Sequence, residues 1–175
     1  TARQAVELIG RLVAEHGYAS TGESISISDP NEVWLLEIIG KGEKQKGALW
    51  VAVRIPDGTI SAHANKSRIR RFPLHDPANC LYAKDVISFA REKGWFSGPD
   101  EEFSFADAYD PANFESLRFC EARVWNVFRR AAPSLRLPGD VARGDTKAPP
   151  LPLSVRPDRK LAVADGHNGD LVVYS

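Results

Sequence analysis

Two nearly continuous apolar runs, Val33 to Ile39 (Val-Trp-Leu-Leu-Glu-Ile-Ile) and Ala48 to Ile55 (Ala-Leu-Trp-Val-Ala-Val-Arg-Ile), constrain this chain more than anything else in it. Successive side chains of a strand point to opposite faces, so a strand can be apolar throughout only where both faces are covered. The Lys/Gly-rich connection from Gly40 to Gly47 is too short for a parallel crossover, which makes the two runs antiparallel neighbours. Pro56-Asp57-Gly58 carries a hairpin signal into Thr59 to Asn65, where Ile60, Ala62 and Ala64 alternate with Ser61, His63 and Asn65. Ser24 to Ser28 adds a fourth strand, with Ile25 and Ile27 inward, and Asp29-Pro30-Asn31 turns it into the first run. The expected architecture is α+β: an antiparallel meander with a packed layer on each face.

The covering elements are legible as helical periodicity. Ala5, Ile9, Leu12, Val13 and His16 share one face and Gly17 follows as a stop, predicting a helix from Thr1 to His16. Asp76-Pro77-Ala78-Asn79 reads as a helix start, with Tyr82, Val86, Phe89 and Ala90 as the apolar face and Gly94 as the stop, so a helix is expected over 80–93. Phe103 to Tyr109 reads as an aromatic irregular segment. A third helix is expected over 113–132, capped by Asn113, its inner stripe made of Leu117, Cys120, Val124, Val127 and Ala131. Pro133 to Pro157 holds six of the twelve prolines, so residues 133–160 are expected to form an extended arm of the same domain, with the core ending near Ala132. The last ten residues, Gly166 to Ser175, open on Gly-His-Asn-Gly and close on an apolar run of no evident role.

Charge excludes one class of partner. Twenty-three basic and 23 acidic residues cancel, which removes the electrostatic drive of a general nucleic-acid binder; the one basic cluster, Lys66 to Arg71, reads as a solvated or substrate-facing loop. No apolar run reaches membrane-spanning length, so neither nucleic acid nor membrane is an expected partner, and the expected compartment is the cytoplasm. The four histidines have no carboxylate at metal-ligand spacing, no Gly-x-Ser-x-Gly occurs, and the 40–47 loop lacks the Gly-Lys-Ser/Thr and following helix of a phosphate loop, so no cofactor or metal is expected. Cys80 and Cys120 stand far apart and read as buried thiols.

Ala5 to Gly17, Ser26 to Gly40 with Asn31-Glu32-Val33-Trp34, His63 to Ile69 (His-Ala-Asn-Lys-Ser-Arg-Ile) and Arg118 to Trp125 (with Phe-Cys-Glu-Ala-Arg-Val-Trp) together resemble the dipeptidase A and secernin group of N-terminal-nucleophile (Ntn) hydrolases, over about residues 1–165. The resemblance implies an αββα sandwich, of which this chain would be a central part, and cleavage of small peptides by a mature N-terminal Cys through an acyl-enzyme. That Cys is not among the residues here, and neither Cys80 nor Cys120 has an α-amine to serve as its base. The expectation is therefore an internal section of a cysteine-type dipeptidase, inactive by itself, whose partner is a small peptide and for which a homo-oligomer is compatible. Two alternatives stay open: a non-catalytic, secernin-like interaction protein, and an amide hydrolase acting on non-peptide amides.

By the same resemblance Asn65 matches the asparagine whose side-chain amide helps hold the oxyanion, and Arg123 the arginine near the nucleophile. His63 shares the strand face of Asn65 and is a candidate to bind substrate or to support the residues that do, as are Arg68 in the same motif and Glu37. Glu37, a carboxylate inside an apolar strand, needs a partner once buried; Arg54 and Arg123 are the candidates.

Overall fold

The computed structural model describes residues 1–42 and 45–161, together with the backbone of 171–174. Glu43 and Lys44 of the first long loop, and the Gly-His-Asn-Gly opening of the last ten residues, lie outside the described residues. The fold is α+β, and its chain forms two compact units that interleave in sequence: Thr1–Arg54 with Ile69–Pro111, and Ile55–Arg68 with Ala112–Ser175.

The first unit is a four-stranded antiparallel sheet, order β1-β2-β3-β5, with helix α1 (Ala2–His16) on one face. Its strands are β1 (Gly22–Ser28), β2 (Val33–Gly40), β3 (Ala48–Arg54) and β5 (Cys80–Tyr82). Ala2 and Val6 of α1 pack with Trp34, Leu36, Ile38, Ala48 and Ala52, and Ile25 and Ile27 of β1 join them, as their alternation predicts. Leu35, Leu49 and Val51, which point to the opposite face, are buried too, so both apolar runs are covered on both sides. Each such side chain contributes about 1.5–3 kcal/mol by leaving water.

A helix leaves its first backbone N–H groups without internal partners, and α1 has every one of them provided for. Ala2 donates to Asp29 Oδ2 at 2.7 Å, Arg3 to Glu32 Oε1 at 2.8 Å, and Gln4 to Thr1 Oγ1 at 3.2 Å, while the Gln4 side chain accepts from the Thr1 amine. Two carboxylates from the β1–β2 turn thus sit at the positive end of the helix dipole.

Three expectations for this unit need correction. Residues 80–82 are not helix: Cys80, Leu81 and Tyr82 pair with Val53, Ala52 and Val51, and the Arg54 N–H extends the ladder to the Asn79 carbonyl. Asp76 to Asn79 makes a turn, with Asn79 and Cys80 both donating to the Asp76 carbonyl, so helix α2 begins only at Val86 (Val86–Glu92). The segment read as irregular contains a short helix, α3 (Phe105–Tyr109), capped by Ser104. Its Phe105 and Tyr109 belong to a tilted and edge-on aromatic cluster with Phe103 and Trp95.

The second unit is built on strand β4 (Ile60–His63), flanked by β6 (Ser154–Val155) and β7 (Leu171–Tyr174). The meander therefore does not continue from β3 to β4. Pro56 to Thr59 closes a turn, Thr59 N–H to Pro56 carbonyl, in which Gly58 has φ 73 and no neighbouring non-glycine residue has positive φ. Positive φ at the third residue alone is the type II pattern, whose twist splays the flanking strands, whereas a tight hairpin needs a primed turn.

On β4 packs a helical run in three parts: α4 (Phe114–Ser116), a π turn (Leu117–Glu121) and α5 (Ala122–Ala131). Asn113 caps it as expected, accepting the Ser116 N–H at 2.8 Å while Ser116 Oγ accepts from Asn113. The inner stripe differs from the expected one: Leu117, Glu121, Val124, Phe128 and Ala131 are buried, whereas Cys120 and Val127 are half-buried. Nor does the core stop at Ala132, since Leu137, Leu151, Val155 and Leu161 pack on the cluster of Ile60, Ala62, Val124 and Phe128.

Candidate active site

Strand β4 ends at His63, two residues earlier than alternation suggests, because the chain doubles back at Asn65. Lys66 N–H donates to the Ala64 carbonyl at 2.8 Å, a three-residue γ-turn centred on Asn65, which leaves that side chain exposed while Lys66, Ser67 and Arg68 are buried. Asn65 thus does not share a strand face with Ser61 and His63; it is presented at a turn tip.

What holds the tip in place is the helical turn opposite. Arg123 Nη2 donates to Asn65 Oδ1 at 2.8 Å, and Arg123 Nε donates to the Phe119 carbonyl at 2.8 Å. Cys120 Sγ lies 3.5 Å from the Asn65 backbone oxygen. A guanidinium has donors and no acceptor, so the amide must meet it through oxygen, and the Asn65 Nδ2 donors face the other way. Among the described residues nothing accepts from Nδ2 or from Arg123 Nη1. Two neutral or cationic N–H groups, fixed by one shared hydrogen bond, are what a developing oxyanion requires. The π turn just before Arg123 is of the kind frequently found at functional sites, because it re-aims the residues after it.

Arg68 is not at the surface. Its side chain is 2% exposed and pairs with Glu121, 8% exposed, through Nε to Oε1 at 2.9 Å. Nη1 donates to the Ala62 carbonyl at 2.7 Å and Nη2 to the Pro152 carbonyl at 2.8 Å, and the guanidinium lies 5.5 Å from the Phe128 ring centre. Its Nε, Nη1 and Nη2 thus all donate to protein oxygens rather than facing solvent. Glu121 itself escaped the sequence reading. A signal is present, since it stands four residues after Leu117 and three before Val124, on the same helical face.

His63 is half-buried, and desolvation, then the Arg68 charge, lowers its pKa, favouring the neutral ring. Glu37 is 1% exposed and its Oε2 accepts the Ile69 N–H at 3.1 Å, so a backbone donor is one of its partners. Cys80 is buried, and desolvation, with Asp76 adding to it, pushes its thiol up to about 12. No group of three or more His, Cys, Asp or Glu among the described residues is arranged to hold a metal.

A profile of peptidase family C69 matches residues 1–168. The chain is 30% identical to a probable dipeptidase of Salmonella dublin over 94% of its own length and 35% of the relative's. It is 30% identical to a probable dipeptidase of Latilactobacillus sakei, over 94% of this chain and 32% of that one. A probable dipeptidase A of Streptococcus pyogenes is 25% identical across 94% of this chain and 33% of its own. The chain therefore spans about a third of the length of these relatives.

Proposed function

The chain belongs to peptidase family C69, and on that premise we propose that it is a section of a cysteine-type dipeptidase of the Ntn kind, contributing oxyanion stabilisation to the hydrolysis of small peptides. Peptide hydrolysis is the family's chemistry; the dipeptide substrate, the cysteine nucleophile and the residue roles are our reading. In it, a thiol outside the 175 residues attacks the scissile carbonyl while its own α-amine takes the proton, and that proton passes to the leaving amine as the C–N bond breaks and the thioester forms. The carbonyl oxygen, as it gains charge, receives a hydrogen bond from Asn65 Nδ2. Arg123 holds that amide by its oxygen and brings a positive charge beside the reacting centre. Water then attacks the thioester through a second oxyanion, for which the same donor serves.

The observation that carries this reading is the 2.8 Å hydrogen bond from Arg123 to Asn65 Oδ1. It converts a flexible turn-tip amide into a donor of fixed direction, and preorganised donors cost no reorganisation when charge develops. Neither internal thiol fits the nucleophile's part: Cys80 is buried and held protonated, and Cys120 points its sulfur at the Asn65 carbonyl.

The test is made on the full-length protein that carries this section. It is expected to hydrolyse dipeptides, to be inactivated by iodoacetamide with modification of a single N-terminal cysteine, and to lose roughly 100-fold in kcat with little change in KM on Asn65→Ala. Turnover that survives alkylation of every thiol would remove the cysteine mechanism.

A further inference from the structure

The buried pair Arg68–Glu121 stands outside that mechanism, yet it lies on both segments that build the site. We propose that Glu121, through Arg68, is a positioning residue that sets where Asn65 stands; the inference rests on the oxyanion reading above and extends it.

Arg68 brackets the turn that carries Asn65. Its Nη1 donates to the carbonyl of Ala62, three residues before Asn65, while Arg68 itself comes three residues after, so one guanidinium ties the entry and the exit of the turn. The same guanidinium is anchored by Nε to Glu121, the last residue of the π turn. From that turn the Phe119 carbonyl receives Arg123 Nε and the Cys120 sulfur meets the Asn65 carbonyl. The turn and the helix are therefore joined twice: once inside by Arg68–Glu121, once at the surface by Arg123–Asn65. The inner link is the stiffer of the two, since both its side chains are buried and Arg68 has further anchors at Leu153 and Pro152. It fixes the spacing across which the outer link must reach.

Stability alone does not account for such a pair, because well-packed apolar residues usually serve a helix's buried stripe as well as a desolvated ion pair does. Directional fixing does account for it: supporting hydrogen bonds hold reactive groups within fractions of an ångström, and displacement by about 1 Å can cost 100-fold in rate.

Four variants of the full-length enzyme test this: Asn65→Ala, Glu121→Gln, Glu121→Asp, and Asn65→Ala combined with Glu121→Gln. Glu121→Gln keeps an oxygen for Arg68 Nε but removes the charge, and is expected to lower kcat about tenfold or more with KM changed less than about twofold. Glu121→Asp, which restores the charge, should recover part of that loss. In the Asn65→Ala background, Glu121→Gln should cost less than about twofold further, because its effect passes through a group already gone. An unchanged kcat in Glu121→Gln, or the same fold-loss in both backgrounds, overturns the positioning role while leaving Asn65 in place. A silent Asn65→Ala overturns the oxyanion reading and this inference together. Should Glu121→Gln not fold, Glu121→Asp, alone and in a fifth variant combined with Asn65→Ala, is judged by the same rule: a loss that vanishes with Asn65 supports the role, and an equal loss in both contradicts it.

Discussion

Arginine and lysine carry the same charge, yet only the planar fork of Arg123 can engage the Phe119 carbonyl with Nε and the Asn65 amide with Nη2 at once. Arg123→Lys keeps the charge and breaks the bridge, so kcat of the full-length enzyme is expected to fall about tenfold, with a Tm shift of no more than a degree or two. A rate within twofold of the parent would mean the fork does nothing. His63→Ala should change kcat far less than Asn65→Ala, since the ring is neutral and lies on the strand rather than at the turn tip. Cys80 offers a check of the packing: with its thiol held protonated at neutral pH, iodoacetamide at pH 8 should leave it unlabelled in the native protein and label it in denaturant, as read by peptide mass. At this scale the sequence exposed residue types better than geometry. Asn65 and Arg123 were legible as a pair of interest, but the γ-turn that presents Asn65 depends on a backbone hydrogen bond that no side-chain pattern encodes. Glu121 was hidden for a different reason, because it looks like a surface charge until Arg68 is buried beside it.

Helix α1 shows how an element can depend on chain far away in sequence. Gly10 faces Trp50, and a Cβ added there would lie 2.5 Å from the ring carbon Cζ2. Alanine is the better helix former by about 1 kcal/mol, but forcing a methyl into a closed contact costs about 1–3 kcal/mol. Gly10→Ala should therefore lower Tm, against its helix propensity; a raised Tm would show that the contact yields. Asp29, which accepts from the Ala2, Asn31 and Glu32 N–H groups, has its pKa lowered by those bonds, Ala2's first. A depressed folded-state pKa adds stability above the ordinary carboxylate value of about 3.9 and loses it as pH falls through the lower, folded value. Asp29→Asn is expected to destabilise at pH 7 and to approach the parent's stability as pH falls through the lowered folded-state pKa of Asp29, which thermal melts across pH would read out. A gap that stays constant across that range would mean that the charge is immaterial. Of the elements, β1 to β3 were legible because their apolar patterns agree with their burial; α1 was legible as a helix, but its packed face runs through Ala2, Val6, Ile9 and Val13, and Leu12 and His16 of the expected stripe are exposed. Strand β5 was not legible, since three residues paired to a distant edge carry no period of their own, and β4 was placed beside the wrong neighbour because Asp-Gly marks a turn without fixing its hand.

As a whole molecule, the chain crosses between its two compact units three times, at Arg54, Arg68 and Pro111. The apolar runs that define the first unit say nothing about catalysis, and every residue assigned here to the oxyanion belongs to the second. Sequence periodicity therefore found the first unit's core, while the second, with its short strands and proline-rich path, yielded mainly through its motif residues. No helix among the described residues is long and apolar enough to cross a membrane. The central claim is that Asn65 acts by donating from Nδ2 while Arg123 holds its oxygen. The most direct measurement is kcat and KM of Asn65→Asp in the full-length enzyme, with Tm recorded alongside. This substitution keeps an oxygen for Arg123, removes the donor and sets a carboxylate in its place, so the account predicts a Tm no lower than the parent's, a KM within about twofold and a kcat lower by roughly 100-fold or more. A kcat within threefold of the parent, at unchanged Tm, would contradict it.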